Sequence, residues 1–122
     1  MRHVVILAVI LCSGTAWAET IDEQVERLLI ERKYAEAEPL AEQAIAQAIA
    51  KYGLDHSDTA MSLNNLASLY DTQGKYDLAE PLYKRALAIV EKALGPDHWK
   101  TVMLRENLAA MREARDKAAA KP

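Results

Sequence analysis

The chain repeats itself. Lys33-Tyr34-x-x-Ala37-Glu38-Pro39-Leu40 returns as Lys75-Tyr76-x-x-Ala79-Glu80-Pro81-Leu82, an offset of 42 residues. At the same offset Gly53-x-Asp55-His56 matches Gly95-x-Asp97-His98, and Thr59-x-Met61 matches Thr101-x-Met103. Asn65-Leu66-Ala67 likewise matches Asn107-Leu108-Ala109. Laying residues 33–69 on 75–111 gives 16 identities in 37 positions. Self-similarity at a fixed period of this length belongs to stacked supersecondary units, none of which can bury its apolar face alone.

Each unit has the spacing of two helices. Leu63, Leu66, Ala67 and Tyr70 fall at i, i+3, i+4 and i+7, one apolar stripe. Gly74 breaks that run, being able to take the left-handed backbone of a helix end. The next stripe carries Ala79, Leu82, Tyr83, Ala86, Leu87, Val90 and Leu94, with Pro81 expected in its first turn, where a missing N–H costs little. Gly95-Pro96 closes it. Upstream, Ile21, Val25, Leu28 and Leu29 mark one helix and Ala37, Leu40, Ala44, Ile45 and Ala48 a second, closed by Gly53. A last helix from about Lys100 to Ala118 holds Leu104, Leu108 and Met111 in register. The expectation is an all-α chain of five helices, two hairpins and a single closing helix, with residues from Asp116 onward fraying.

The first residues stand apart from this pattern. Arg2 precedes an unbroken apolar run, Val4 through Cys12, and Ala16-Trp17-Ala18 follows Ser13-Gly14-Thr15. A basic start, a short apolar core and small residues at an A-x-A site are the parts of a secretory signal. The run is too short to span a bilayer, which takes about 20 residues. The sequence therefore predicts a signal peptide over residues 1–18, cleavage after Ala18, a repeat domain over 19–115 and a tail over 116–122. Cys12 is the only cysteine. Lipidation there prefers a small preceding residue, and Leu11 is not one. Lost with the leader, Cys12 leaves a mature chain with neither disulfide nor thiolate metal site.

The formal charge is −3, and the leader removes a cation, so the mature chain is more acidic still. A general nucleic-acid binder would need a basic stripe. The charges are instead interspersed, as on a solvated helical surface.

Counting Ala60 as position 1 of a hairpin puts Leu63 at 4, Leu66 at 7, Ala67 at 8, Tyr70 at 11, Gly74 at 15, Ala79 at 20, Tyr83 at 24 and Ala86 at 27. This pattern resembles the tetratricopeptide repeat (TPR), whose small residues at 8, 20 and 27 let helices approach closely. The ordinary period is 34. The longer one here, with Leu63–Ala67 (LNNLA), Gly74–Ile89 (GKY…AEPLYKRALAI) and Leu94–His98 (LGPDH), is similar to the repeats of the kinesin light chain. The outer copies depart from the pattern: Gln24 and Arg32 stand at positions 7 and 15 of the first, Arg105 and Arg112 at 4 and 11 of the last. A solenoid's terminal units lack a neighbour on one face, so polar substitution is expected there.

The resemblance implies a short right-handed solenoid of about two and a half repeats, whose first helices line a concave groove for an extended peptide. Carried over position by position, the groove residues are Met61, Asn64, Ser68 and Asp71, then Met103, Glu106 and Ala110. Asn65 and Asn107 lie beside them, and amides can both donate to and accept from a peptide backbone. No Lys/Arg clamp for a terminal carboxylate accompanies them.

Other residues invite sharper functions. His56 and His98 share Asp-His-x-x-Thr, but successive repeat loops lie too far apart to hold one metal ion. Both are expected in inter-repeat loops, with Asp55, Ser57, Asp58 or Asp97 capping the helices that follow. Tyr34, Tyr70, Tyr76 and Tyr83 follow helical spacing and are expected in the core. Glu36, Glu38, Glu42 and Glu80 have cations nearby and are expected on solvated faces. Trp99 either anchors a partner or covers the open end of the stack. No phosphate loop, nucleophile–base pair or metal motif is present, so neither an enzyme nor a cofactor is expected. The expected function is an exported protein- or peptide-binding adaptor. The alternative is a self-associating module that stacks end to end through its terminal helices, since about three repeats are needed for stability.

Overall fold

The computed structural model describes residues 19–120. The leader, its A-x-A site and Cys12 lie outside the described residues. Within them are five helices: α1 (Ile21–Ile30), α2 (Tyr34–Tyr52), α3 (Ser57–Thr72), α4 (Tyr76–Leu94) and α5 (Trp99–Ala120). No strand occurs among the described residues. Each helix packs on its neighbours in sequence, and α3 against α4 forms the most extensive pairing. The chain is a short all-α solenoid, α1/α2 and α3/α4 forming two hairpins and α5 closing the stack.

Small residues set the spacing. Ala67, Ala79 and Ala86 have no exposed surface, so α3, α4 and α5 meet without side chains holding their backbones apart. Val25, Leu28, Ala37 and Ala41 form one core with Leu66 and Leu69 of α3. Ala60 and Leu63 of the same helix join Ala86, Ile89, Val90 and Leu104 in another. Helix α3 is thus shared by both cores. Tyr83 is buried, and Tyr34, Tyr70 and Tyr76 pack at the margins of the clusters.

The helix ends show how the sequence is punctuated. Gly95 ends α4 at φ 89°, ψ 167°, a region essentially reserved for glycine. At the end of α3, Gly74 N–H donates to Asp71 O (2.9 Å) and Lys75 N–H to Tyr70 O (2.8 Å), the Schellman pattern. Arg32, in the register of Gly74, makes the same turn: its N–H donates to Leu29 O (3.1 Å), and Lys33 N–H to Leu28 O (2.8 Å). Arg32 therefore sits at φ 62°, the only left-handed non-glycine backbone among the described residues.

Two expectations need correction. Pro81 is the sixth residue of α4, not within its first turn. It is exposed there, and it has no N–H to donate to the Asp77 carbonyl four residues back. Helix α5 extends to Ala120, its last residues being mostly alanine and lysine, both strong helix formers. The carboxylates and Ser57 do not cap α3 and α5; the histidines do, as described below. At the closing end, Arg105 and Arg112 replace apolar residues by pairing with Glu91 (3.8 Å) and Glu80 (2.7 Å), while Leu104, Leu108 and Met111 remain buried.

The concave face and the repeat loops as a candidate site

Helices α1, α3 and α5 run parallel and present neighbouring faces. Polar rungs cross between them. Ser62 Oγ donates to Asp22 Oδ1 at 3.5 Å, linking α3 to α1, and Asn107 Nδ2 donates to Asn64 Oδ1 at 3.0 Å, linking α5 to α3. Asn64 is only 7% exposed. Its carbonyl is committed to the neighbouring helix, and Asn64 Nδ2 and Asn107 Oδ1 form no further hydrogen bond among the described residues. The Asn64–Asn107 pair thus fastens the repeats and still offers one donor and one acceptor to the surface.

Two other groove positions are tied to the core. Tyr83 reaches from α4 to α3, where its hydroxyl donates to Asp71 Oδ2 (3.1 Å) and lies 3.1 Å from Ser68 Oγ. Burial pushes the Tyr83 hydroxyl far above the ordinary phenol range, and the neighbouring Asp71 charge adds to the shift. Burial also raises Asp71, against the opposing effect of the hydrogen bond from Tyr83. Met61, Asn65 and Met103 are half-buried, and Glu106 is exposed. The structure therefore brings Asn64, Ser68, Asp71 and Asn107 into contacts with other helices. Met61, Asn65, Met103 and Glu106 retain accessible surface without a polar contact of their own.

The inter-repeat loops form a second repeating constellation. His56 Nδ1 accepts from the backbone N–H of Asp58 (3.0 Å), and His98 Nδ1 accepts from that of Lys100 (3.1 Å). Each imidazole thus occupies a helix amide that would otherwise lack a partner. Thr59 Oγ1 donates to Gly53 O and Thr101 Oγ1 to Gly95 O, both at 2.7 Å. The shared Gly-x-Asp-His-x-x-Thr string is a turn that closes on itself. Only the repetition of the string signalled it, since histidine is not among the favoured capping residues.

Aromatic rings cover these turns. Tyr52 stacks on His56 with centroids 4.5 Å apart, and Trp99 on His98 at 5.9 Å. Trp99 is 63% exposed, so it does not cover the open end of the stack. Glu36 and Glu42 are exposed and Glu38 partly so. Glu80 is held by Arg112 and Arg115 (2.7 and 3.0 Å), which lower its carboxyl below the usual range. No helix among the described residues is long and apolar enough to cross a membrane.

The comparisons agree with this architecture. A family profile described as tetratricopeptide repeat matches residues 28–92 and again 72–121. No curated protein matches the chain. The profile match concerns the repeat in general, and the light-chain-like variety rests on the strings quoted above. With the repeat profile covering residues 28–121, from the end of α1 through the closing helix, the chain belongs to the tetratricopeptide repeat family.

Proposed function

We propose that the concave face binds an extended, basic segment of a partner protein. Tetratricopeptide repeats generally mediate protein–protein interaction. The observation that carries the finer reading is the sign of this face. Asp22 and Glu26 of α1, Asp71 of α3, and Glu106 and Glu113 of α5 fall at the register of the groove positions, and no Lys or Arg shares that register. The free ends of the Asn64–Asn107 pair supply a donor and an acceptor for a peptide backbone beside these carboxylates. Opposite charge speeds encounter and rejects acidic competitors.

Titration calorimetry with arginine-containing, neutral and acidic peptides of one length tests this. The basic peptide should bind most tightly, and Glu106→Lys combined with Asp22→Lys should weaken it. Equal binding of all three peptides, or indifference to the charge reversal, would remove the basis of the reading.

The leader supports action outside the cytoplasm, as a periplasmic or secreted adaptor released by cleavage after Ala18. Mass spectrometry of the chain recovered from cell fractions checks this, with a mature N-terminus at Glu19 expected.

A further inference from the structure

Three side chains of the central repeat break the 42-residue pattern together. Asp71, Ser68 and Tyr83 stand where the first repeat has Leu29, Glu26 and Ala41, and Glu113 and Ala110 take the places of Asp71 and Ser68 in the closing helix. The first repeat shows what the fold itself asks for at these positions. Leu29 packs on the core that holds buried Ala41. Its carbonyl accepts from Arg32 N–H (3.1 Å) in closing the turn, just as the Asp71 carbonyl accepts from Gly74 N–H (2.9 Å). The turn therefore closes on an apolar side chain as well as on a carboxylate, and the backbone has no need of Asp71.

The Asp71 carboxylate is poorly solvated yet fixed in place. It is half-buried, and burial raises it above the ordinary range. No Lys or Arg among the described residues comes within ion-pair reach of it. Tyr83, 2% exposed and packed among Ala67, Ala79, Leu108 and Met111, donates its hydroxyl to Asp71 Oδ2 (3.1 Å), and the same hydroxyl lies 3.1 Å from Ser68 Oγ. The other carboxylates at the groove register differ. Glu26 on α1 and Glu106 and Glu113 on α5 are exposed on longer side chains. A fixed, poorly solvated carboxylate that the repeat does not require is a site ready for a cation brought by a ligand.

We propose that Asp71 takes one cationic side chain of the segment bound on the concave face, with Tyr83 as the positioning residue that aims the carboxylate. The inference rests on the reading of that face as a site for a basic partner and narrows it. One arginine or lysine is fixed at the C-terminal end of α3, while Glu26, Glu106 and Glu113 act on the partner's charge at longer range. A neighbouring cation favours the ionised carboxyl, so docking expels the proton that the free chain holds more tightly than an ordinary carboxylate does. Affinity is full above the raised value and is lost as pH falls through it.

A double-mutant cycle read by titration calorimetry tests the proposal. The probes are a peptide carrying one arginine and its counterpart with uncharged citrulline in that place. The arginine peptide should bind the wild-type chain more tightly. Asp71→Asn should weaken it roughly tenfold and leave the citrulline peptide unchanged. Tyr83→Phe keeps the charge but loses the aim, and should cost less. In the acid range the heat of binding should vary with the ionisation enthalpy of the buffer, reporting proton release. Because Glu26, Glu106 and Glu113 carry carboxyls of their own, the expected signature is release that disappears in Asp71→Asn. Circular dichroism checks the fold of each variant, and Asp71→Leu, which carries the first repeat's residue, takes the place of a variant that unfolds. Equal losses for both peptides would make Asp71 structural, and a preference for arginine that survives Asp71→Asn would put the cation elsewhere. Either result overturns the inference and leaves the basic-segment reading in place. A wild-type chain without preference for the arginine peptide overturns both.

Discussion

Arg32 shows what a single residue can reveal about a repeat. It occupies the left-handed position that Gly74 fills one repeat later, with the same two closing hydrogen bonds. An L-residue pays roughly 1–2 kcal/mol for that backbone, and glycine does not. Arg32→Gly should therefore stabilise the fold by about 1 kcal/mol after glycine's extra unfolded-state freedom is subtracted. Gly74→Ala should cost a similar amount, and because a Cβ there meets nothing within 4 Å the loss is one of backbone strain alone. Denaturant titration measures both, and an Arg32→Gly variant less stable than the parent would contradict the account. Asp71 gives a prediction in pH. Burial raises its carboxyl above the ordinary range, so the folded chain holds that proton more tightly than the unfolded one. Its contribution is fully present below the ordinary carboxylate range and is lost as pH rises through the raised value. Asp71→Asn keeps an oxygen for the Tyr83 hydroxyl and carries no charge. It should be the more stable protein at neutral pH, with the gap closing on acidification; thermal melts at several pH values decide.

At the scale of the element, legibility depended on which physical signal governs each feature. The helices were readable because burial imposes a 3.6-residue period on Leu63, Leu66, Ala67 and Tyr70, and glycine at Gly53, Gly74 and Gly95 marks stops by its backbone freedom. The caps were not readable by residue type. Local side-chain-to-backbone geometry chose His56 and His98 over the neighbouring Asp55, Asp58 and Asp97. The groove was legible as a register but not as a set of contacts, since the reach of Tyr83 to Ser68 and Asp71 depends on how α4 packs behind α3. The duplicated turn allows a matched test. Thr59 and Thr101 are both buried and bond the preceding glycine carbonyl at 2.7 Å. Thr59→Val and Thr101→Val keep the shape and remove the hydrogen bond, so each should cost about 1 kcal/mol. Equality of the two losses is the point at issue. If one were several-fold larger in chemical denaturation, the turns would not be equivalent units.

For the whole molecule, stability should be graded along the stack rather than uniform. Arrays of this kind are sums of repeat stabilities and nearest-neighbour interfaces. Helix α3 has a neighbour on each side and contributes to both cores, with Leu66 and Leu69 in one and Ala60 and Leu63 in the other. Helix α1 is the shortest element and buries only Val25 and Leu28, although a capping box between Thr20 and Glu23 secures its start. Helix α5 is anchored through Leu104, Leu108 and Met111, and by Arg112 and Arg115 on Glu80, but its last turns touch nothing. Native-state hydrogen exchange should accordingly find α3 and α4 opening only with global unfolding, α1 opening at lower free energy, and the amides beyond Asp116 exchanging almost freely. Protection that is uniform from α1 to α4 would mean that the five helices behave as one cooperative globule and not as a stack.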